Sequence, residues 1–385
     1  MSEFKIRKLT DRAGTGAPNF THGFNINGSD SGLVGVTHTT GSSAPDSPSN
    51  ADTWWDTGND KYYVYVNDAW REYSIAPAAP TYYGDRLVRV GFSTAKNDIH
   101  RLDITTTGNA VDFKDLNRTN ANRAAACSNA SNAYIFNGNA AANGTGSNTN
   151  SISYFSTSNS TNASDFGDSS ASTSAGMACS DGTTGCFSIG GGDGVTPSNT
   201  IDKITMATPG NATDFGDLTA ARTAYGNSAG SNGTRGIFAL GYNGSTGVNI
   251  IDYVTIASPG NATDFGDMGT SGYGSAAGGT GTGDRLIFAT YYGESSDIQY
   301  VTVSTTGNAA DFGSTTITTS AHSFYCGAAA NATRCVIQSG GYVGGGASNI
   351  IEYVTMSTLG NATDFGDQVN NEEQSHQVCT SGAAS

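Results

Sequence analysis

Basic residues are scarce in this chain. Lysine and arginine together number 18 against 33 acids over 385 residues, leaving a net charge of −15. The few cations form no block, and a nucleic-acid backbone needs one, so no nucleic-acid partner is expected. No run of about 18 apolar residues occurs, the length a membrane-spanning helix requires. The opening MSEFKIRKLT lacks the apolar core of a secretory signal. Leucine is infrequent and no stretch sustains a 3.6-residue apolar period, which excludes a helical fold. Apolar residues make up only 36%, a level that raises the question of disorder. Against disorder stand 18 Tyr and 16 Phe set in short, evenly spaced runs.

Signatures of catalysis and metal binding are also missing. There are six cysteines but no CxxC pair, so a zinc site is not expected. Cys127, Cys179 and Cys379 fall at similar places in different repeats, each just before a turn, as small buried thiols would. His22, His38, His100, His322 and His376 share no ligand spacing, and no G-x-S-x-G elbow is found. No cofactor is implied.

What the chain has in abundance is glycine, 52 residues, and repetition. GNATDFGD occurs unchanged at Gly210–Asp217, Gly260–Asp267 and Gly360–Asp367. Asp-Phe recurs at Asp112, Asp165, Asp214, Asp264, Asp311 and Asp364, spaced by 53, 49, 50, 47 and 53 residues. A period near 50 points to a propeller or solenoid. Each unit reads as four strands: a small-residue run (A), a run such as Ile237–Leu240 (B), one such as Ile251–Ile256 (C), and one carrying Asp-Phe (D). RLVRVGF from Arg86 matches strand B, while the terminal HQVCTS matches strand A. The last unit is therefore split between the two ends, which closes a ring without exposed edges. The expected fold is all-β, a six-bladed β-propeller over 82–385, closed by both ends.

In such a ring, Phe113, Phe166, Phe215, Phe265, Phe312 and Phe365 would pack between neighbouring blades. Asp214 and Asp217 would satisfy turn backbone groups. A kinase reading of Asp-Phe-Gly lacks its Gly-rich loop, lysine strand and catalytic loop. Glycosylation at Asn-Ala-Thr needs a secretory route. A calcium site from Asn211, Asp214 and Asp217 stays open. GGGDG at Gly190 and SGGY at Ser339, with the later Tyr of strand C, resemble kelch repeats. The kelch tryptophan is absent and the Phe of Asp-Phe would take its place.

Residues 1–75 carry all three tryptophans and no Asp-Phe unit. FKIRKL reads as a strand. ADTWWDTGNDKYYVYVNDAWREYSI reads as a three-strand meander over Thr53–Thr57, Lys61–Val66 and Ala69–Ser74, with turns at Gly58-Asn59-Asp60 and Asn67-Asp68. Residues 76–81 form a Pro/Ala linker. The DTWWDTGNDKYYVYVNDAW stretch, the leading TDRAGTGAPNFTHGFNI and the GNATDFGDL-type repeats resemble structural virion proteins of marine tailed phages, cyanophages among them. The resemblance implies a fibre, neck or capsid-decoration protein at the virion surface. Its N-terminal module would meet other virion proteins or sister subunits in a homo-oligomer. Phe4, Ile6, Phe20, Phe24, Trp54, Trp55, Tyr63, Tyr65 and Trp70 are the expected docking residues.

Strand alternation puts the B–C and D–A connections on one face and the A–B and C–D connections on the other. C–D turns hardly vary, whereas B–C loops vary strongly, and varied loops on a fixed scaffold carry recognition. Asn139, Asp193, Tyr242, Asn243, Tyr291, Tyr292 and Tyr342 are the expected ligand-face residues, towards a host-surface glycan or protein. Two alternatives stand beside this host-binding appendage. One is an architectural connector without ligand. The other is a polysaccharide hydrolase or lyase, although no catalytic residue breaks the repeat.

Overall fold

The computed structural model describes residues 37–58, 61–66, 68–72, 83–90, 97–118, 122–139, 147–191, 196–278, 284–290, 296–316, 327–338, 348–372 and 378–382. Phe4, Ile6, Phe20, Phe24 and the FKIRKL stretch lie outside them, as do Asp193, Tyr291, Tyr292 and Tyr342. The chain divides into two compact units, Met1–Ala79 and Pro80–Ser385. Among the described residues every regular element is a strand, and no helix is long and apolar enough to cross a membrane.

In the first unit, β2 (Thr53–Asp56), β3 (Lys61–Val66) and β4 (Ala69–Glu72) pair antiparallel. The expected three-strand meander is incomplete, because β1 (His38–Gly41) adds to β2 in parallel. HTTG carries no apolar alternation, so its strand character comes from its partners. Asp52 accepts the N–H of Thr37 at 2.6 Å and of Ser49 at 2.8 Å, and the Trp54 indole donates to Gly41 O at 3.0 Å. The Asp-x-Trp residues thus clamp the strand that precedes them.

The second unit holds six four-stranded antiparallel sheets. The first contains β8 (Ala125–Ser128), β9 (Asn132–Phe136), β10 (Thr149–Ser156) and β11 (Ser164–Thr173). The second contains β12 (Ala178–Ser180), β13 (Thr184–Ser188), β14 (Ser198–Thr205) and β15 (Thr213–Arg222). The third contains β16 (Ala229–Ser231), β17 (Arg235–Ala239), β18 (Val248–Thr255) and β19 (Thr263–Gly272). The fourth contains β20 (Ser275–Gly278), β21 (Arg285–Thr290), β22 (Asp297–Thr302) and β23 (Ala310–Ser314). The fifth contains β24 (Gly327–Ala330), β25 (Arg334–Gln338), β26 (Ser348–Thr355) and β27 (Thr363–Glu372). The sixth is composite: β28 (Val378–Gly382) pairs with β5 (Arg86–Val90), followed by β6 (Asp98–Asp103) and β7 (Val111–Asp115). The small-residue strands touch in the order β8, β12, β16, β20, β24, β28, and β28 also touches β8.

No sheet has a core of its own. The apolar residues form six clusters, each spanning two successive sheets. Phe215 of β15 lies with Phe238, Val254 and Ile256 of the third sheet, and Phe365 of β27 lies with Leu87, Leu102 and Ile104 of the composite sheet. Five of the six repeated phenylalanines are buried, and Phe113 is half-buried. Strand B is buried on both faces because a neighbour covers each side, which explains its continuous apolar runs.

The octapeptide works across these junctions. Asp168 N–H donates to the Asn211 side chain at 3.0 Å and Ala212 N–H to Asp168 O at 2.8 Å, so the GNA of one repeat docks on the FGD of the repeat before it. The same side-chain bond joins Asp115 to Asn162, Asp217 to Asn261, Asp267 to Asn308, Ser314 to Asn361 and Asp367 to Asn109. The capping group is therefore asparagine, not the carboxylates of Asp214 and Asp217. Aspartate supplies backbone, and the Asp of Asp-Phe is exposed. The Asn211 side-chain oxygen that a calcium site would use is taken by the Asp168 N–H of the preceding repeat. Gly216 adopts φ +149°, and a Cβ there would lie 2.4 Å from the Gly260 carbonyl, whereas a Cβ at Gly210 meets nothing within 4 Å.

A second link repeats in strand C. His100, Ser153, Asp202, Asp252, Gln299 and Glu352 share one position and are all buried. Asp202 accepts Ser170 N–H (2.8 Å), Asp252 Thr219 N–H (3.1 Å), Gln299 Gly269 N–H (2.9 Å) and Glu352 Thr316 N–H (2.8 Å), each from the preceding sheet. Asp252 also pairs with buried Arg222 at 2.8 Å. Among the described residues Asp202 and Glu352 have no such cation, and burial pushes both carboxyls up from their ordinary values, Ser170 and Thr316 opposing in part.

Two outcomes are expected. Gly216→Ala should cost at least about 1–3 kcal/mol in backbone strain, while Gly210→Ala should stay within about 0.5 kcal/mol. Equal denaturant midpoints for the two variants would remove the backbone-contact account of the octapeptide. The second concerns pH. Carboxyls held above their unfolded values contribute stability that is complete below the ordinary carboxylate range and is lost as pH rises through the folded values. An Asp202→Asn/Glu352→Gln variant, neutral at every pH, should therefore gain stability over the parent at pH 8 relative to pH 4. A difference independent of pH would count against the buried-acid assignment.

Candidate functional site

The B–C and D–A connections meet at one end of the sheets. Successive D–A connections bond to one another through backbone: Ala175 N–H to Arg123 O at 2.6 Å, Ala224 N–H to Ala175 O at 2.9 Å, and Tyr225 N–H to Tyr273 O at 2.9 Å. On them sits an aromatic group. The Arg123 guanidinium lies 4.9 Å from the Tyr225 ring, Tyr225 lies 6.2 Å from Tyr273, and Tyr273 lies 5.2 Å from Tyr242 of a B–C loop. All four are half-buried. Arg123 holds φ 57°, a left-handed backbone that costs a non-glycine residue roughly 1–2 kcal/mol. The next repeat's turn holds Ala175 at φ 62°, and the turns after it carry Gly226 at φ 155° and Gly274 at φ 151°.

Tilted tyrosine rings beside a guanidinium present apolar faces and a fixed positive charge. That combination suits a polar ring compound whose C–H face stacks while a hydroxyl or carboxylate meets the arginine.

Of the sequence-derived ligand-face residues, Tyr242, Asn243 and Asn139 are among the described residues. Tyr242 belongs to the group, although its hydroxyl donates back to Gly244 O at 2.7 Å. Asn243 is exposed, but its side chain accepts the N–H of Ser245 and of Thr246, each at 2.9 Å, and so shapes its own loop. Asn139 is a correction. It is buried, its amide donates to Asn148 at 2.9 Å and its backbone N–H to Asn122 O at 2.8 Å, so it holds a loop closed. Arg123, Tyr225 and Tyr273 were missed. Two signals pointed to them: the D–A connections share this face by strand alternation, and Tyr-Gly recurs at 225–226 and 273–274.

Between the innermost strands lies a cavity of about 50 Å³, lined by residues such as Ala126, Ser128, Ala178, Ser180 and Ala329. Asn227 crosses it, accepting Ala178 N–H at 2.7 Å and donating to Ala126 O at 2.9 Å. Ser180 donates to Ser128 O at 2.5 Å and Thr380 to Ser128 Oγ at 2.8 Å. That space holds a water or two, not a sugar. The five described cysteines are free and buried, with Cys127, Cys179 and Cys379 in these strands. Cys127 Sγ lies where a Cβ on Gly185 would meet it at 3.2 Å, which makes it a packing group. Among the described residues no three His, Cys, Asp or Glu side chains gather as metal ligands.

In the first unit the docking residues divide between the two faces of the sheet. Trp54, Tyr63, Tyr65 and Trp70 cluster on one, with Trp54 and Tyr63 stacked at 4.9 Å and Trp70 edge-on to both Trp54 (5.9 Å) and Tyr65 (5.3 Å). Trp55 points to the other, near Tyr62, which stacks on His38 at 5.8 Å.

No family model and no curated protein matches the chain. The solved structure titled "Structure of YjhT" aligns with a TM-score of 0.52 at 12% identity, over 76% of this chain and 99% of that one. At that identity the likeness speaks to fold alone.

Replacing Arg123 by glycine removes a cation–π contact worth about 0.5–1 kcal/mol but also a left-handed side chain. The two nearly offset, so thermal unfolding of Arg123→Gly should shift by no more than about 1 kcal/mol. A loss above about 2 kcal/mol would make Arg123 a structural residue.

Proposed function

We propose that the six sheets are blades of a closed, kelch-like six-bladed β-propeller and that the chain is a virion appendage that binds a host-surface glycan. Its first unit docks on other virion proteins or sister subunits through Trp54, Trp55, Tyr63, Tyr65 and Trp70, and the propeller is displayed at the particle surface. Supporting the ring are the contact of β28 with both β24 and β8 and the Asp367–Asn109 bond that joins the last repeat to the first. The observation that carries the binding role is the Arg123, Tyr225, Tyr242 and Tyr273 group. It sits on varied connections, while at the opposite end Gly-Asn-Ala recurs in five of the six C–D turns and Thr-Asn-Ala stands in the other. The virion setting rests on the resemblance of the DTWWD and GNATDFGD segments to phage structural proteins. Binding rather than turnover is the proposed activity.

Two measurements test this. Labelled antibody against the chain should decorate intact particles, and its absence there removes the virion reading. The full chain should bind a subset of glycans on an array, with Tyr273→Ala weakening retention at least tenfold. No retained glycan would leave the architectural connector, and release of reducing sugar would favour the hydrolase.

A further inference from the structure

The composite sheet departs from the other five in one respect: it concentrates positive charge. Two positions on the same face of strands B and C pair diagonally in every sheet. The pairs are Asn132 with Tyr154, Thr184 with Lys203, Arg235 with Tyr253, Arg285 with Tyr300, Arg334 with Tyr353, and Arg86 with Arg101. Where strand B has arginine, strand C elsewhere has tyrosine, and the two stack at 4.7 Å, 5.0 Å and 4.8 Å. Where strand C has Lys203, strand B has uncharged Thr184. Only Arg86 and Arg101 place two cations together.

A third cation joins them. Lys114 stands where the other repeats have Gly167, Gly216, Gly266, Gly313 and Gly366. Its ammonium lies 4.1 Å from the Phe113 ring, and the guanidinia of Arg86 and Arg101 lie 5.5 Å and 5.0 Å from the same ring. Burial, then Arg86, then Arg101 pull Lys114 down to about 8. Backbone carbonyls of the first sheet take part of this charge: Ser156 O from Lys114 at 2.6 Å and Thr157 O from Arg86 at 2.8 Å. Asp103, the cross-strand partner of Arg86, offsets part of that residue's charge while accepting Thr105 N–H at 2.9 Å and its hydroxyl at 2.5 Å. In a chain of net charge −15, three cations around one ring are not what drift in a repeat produces.

We propose that Arg86, Arg101 and Lys114, at the junction of the composite and first sheets, form a binding site for an oxyanion, the sulfate or carboxylate group of an acidic ligand. Arg86 and Arg101 are half-exposed and would meet the anion, with Lys114, itself buried, supplying charge from behind. The site lies at the A–B and C–D end of the sheets, away from the tyrosines, so it stands or falls independently of the glycan reading.

The test is a titration of the full chain with sodium sulfate against sodium chloride at matched ionic strength, read as thermal stability. Sulfate should give a saturable rise that chloride does not. Arg101→Tyr restores the residue of the other repeats and so should keep the fold, yet weaken the sulfate response at least tenfold; Arg101→Gln serves as a second variant should the ring not fit. Repeating the titration with glucuronate separates sulfate from carboxylate recognition. A rise common to sulfate and chloride, or an unchanged response in both Arg101 variants, would overturn the site.

Discussion

Five of the six described junctions in the second unit share one contact: the backbone of GNA in one repeat against the glycine that follows Asp-Phe in the repeat before it; at the sixth, Asn162 and Ala163 meet Asp115 beside Lys114. The contact is close because Gly216 and its equivalents have no side chain and take a backbone that other residues avoid. It sets the spacing at the outer strands, and the apolar faces inside are then brought into register. Phe215 follows from this. One residue away from the glycine, it is aimed into the space between two sheets, the only place where its ring can be buried. A sheet of four short strands is marginal alone. Here each sheet is stable because it is half of two cores.

The two ends of the sheets obey different constraints. At the A–B and C–D end, asparagine caps, arginine-to-carbonyl bonds and backbone pairs repeat with little change, since each must match both neighbours. At the other end the D–A connections bond mainly to one another, and the B–C loops are released from the match. Arg123 shows the difference. A left-handed arginine is tolerated there, as left-handed Ala175 is in the next repeat, and its guanidinium lies over Tyr225. Freedom in the loops and rigidity beneath them are two results of the same docking motif.

Much of the scaffold was legible because repetition multiplies a weak signal. The Asp-Phe spacing, the four-strand grammar and the B-like start with an A-like end could be read from residues alone, and the β28–β5 pairing has the strand order they imply. The division of roles inside the octapeptide was not legible. Asn211 and Asp214 are both common turn residues, and only the docking partner, about 43 residues upstream at Asp168, tells which one caps. β1 was hidden because HTTG has no pattern of its own. The site was half legible: Tyr242 lies in a loop singled out for its variability, but Asn139 resembled it in sequence while being buried in fact. Tyr225 and Tyr273 lie in D–A connections, which the variation among B–C loops does not single out.

The pairing of β28 with β5 joins segments some three hundred residues apart, and the cost of that is smaller than the distance suggests. Loop-closure entropy grows as about (3/2)RT ln n, roughly 5 kcal/mol for n near 300 apart from a constant. Against it stand the apolar side chains that only a complete composite sheet can cover. Leu87 is enclosed with Val336, Ile351 and Phe365 of the fifth sheet, and Val88, Val90 and Ile99 with Ile135 and Phe155 of the first. Burying such a side chain gains about 1.5–3 kcal/mol, so the four together offset the closure term. Chain separation is thus a poor guide to the cost of a contact. The junctions flanking β28 owe their stability to the same interleaved packing as the junctions between consecutive repeats, with the connecting chain contributing little.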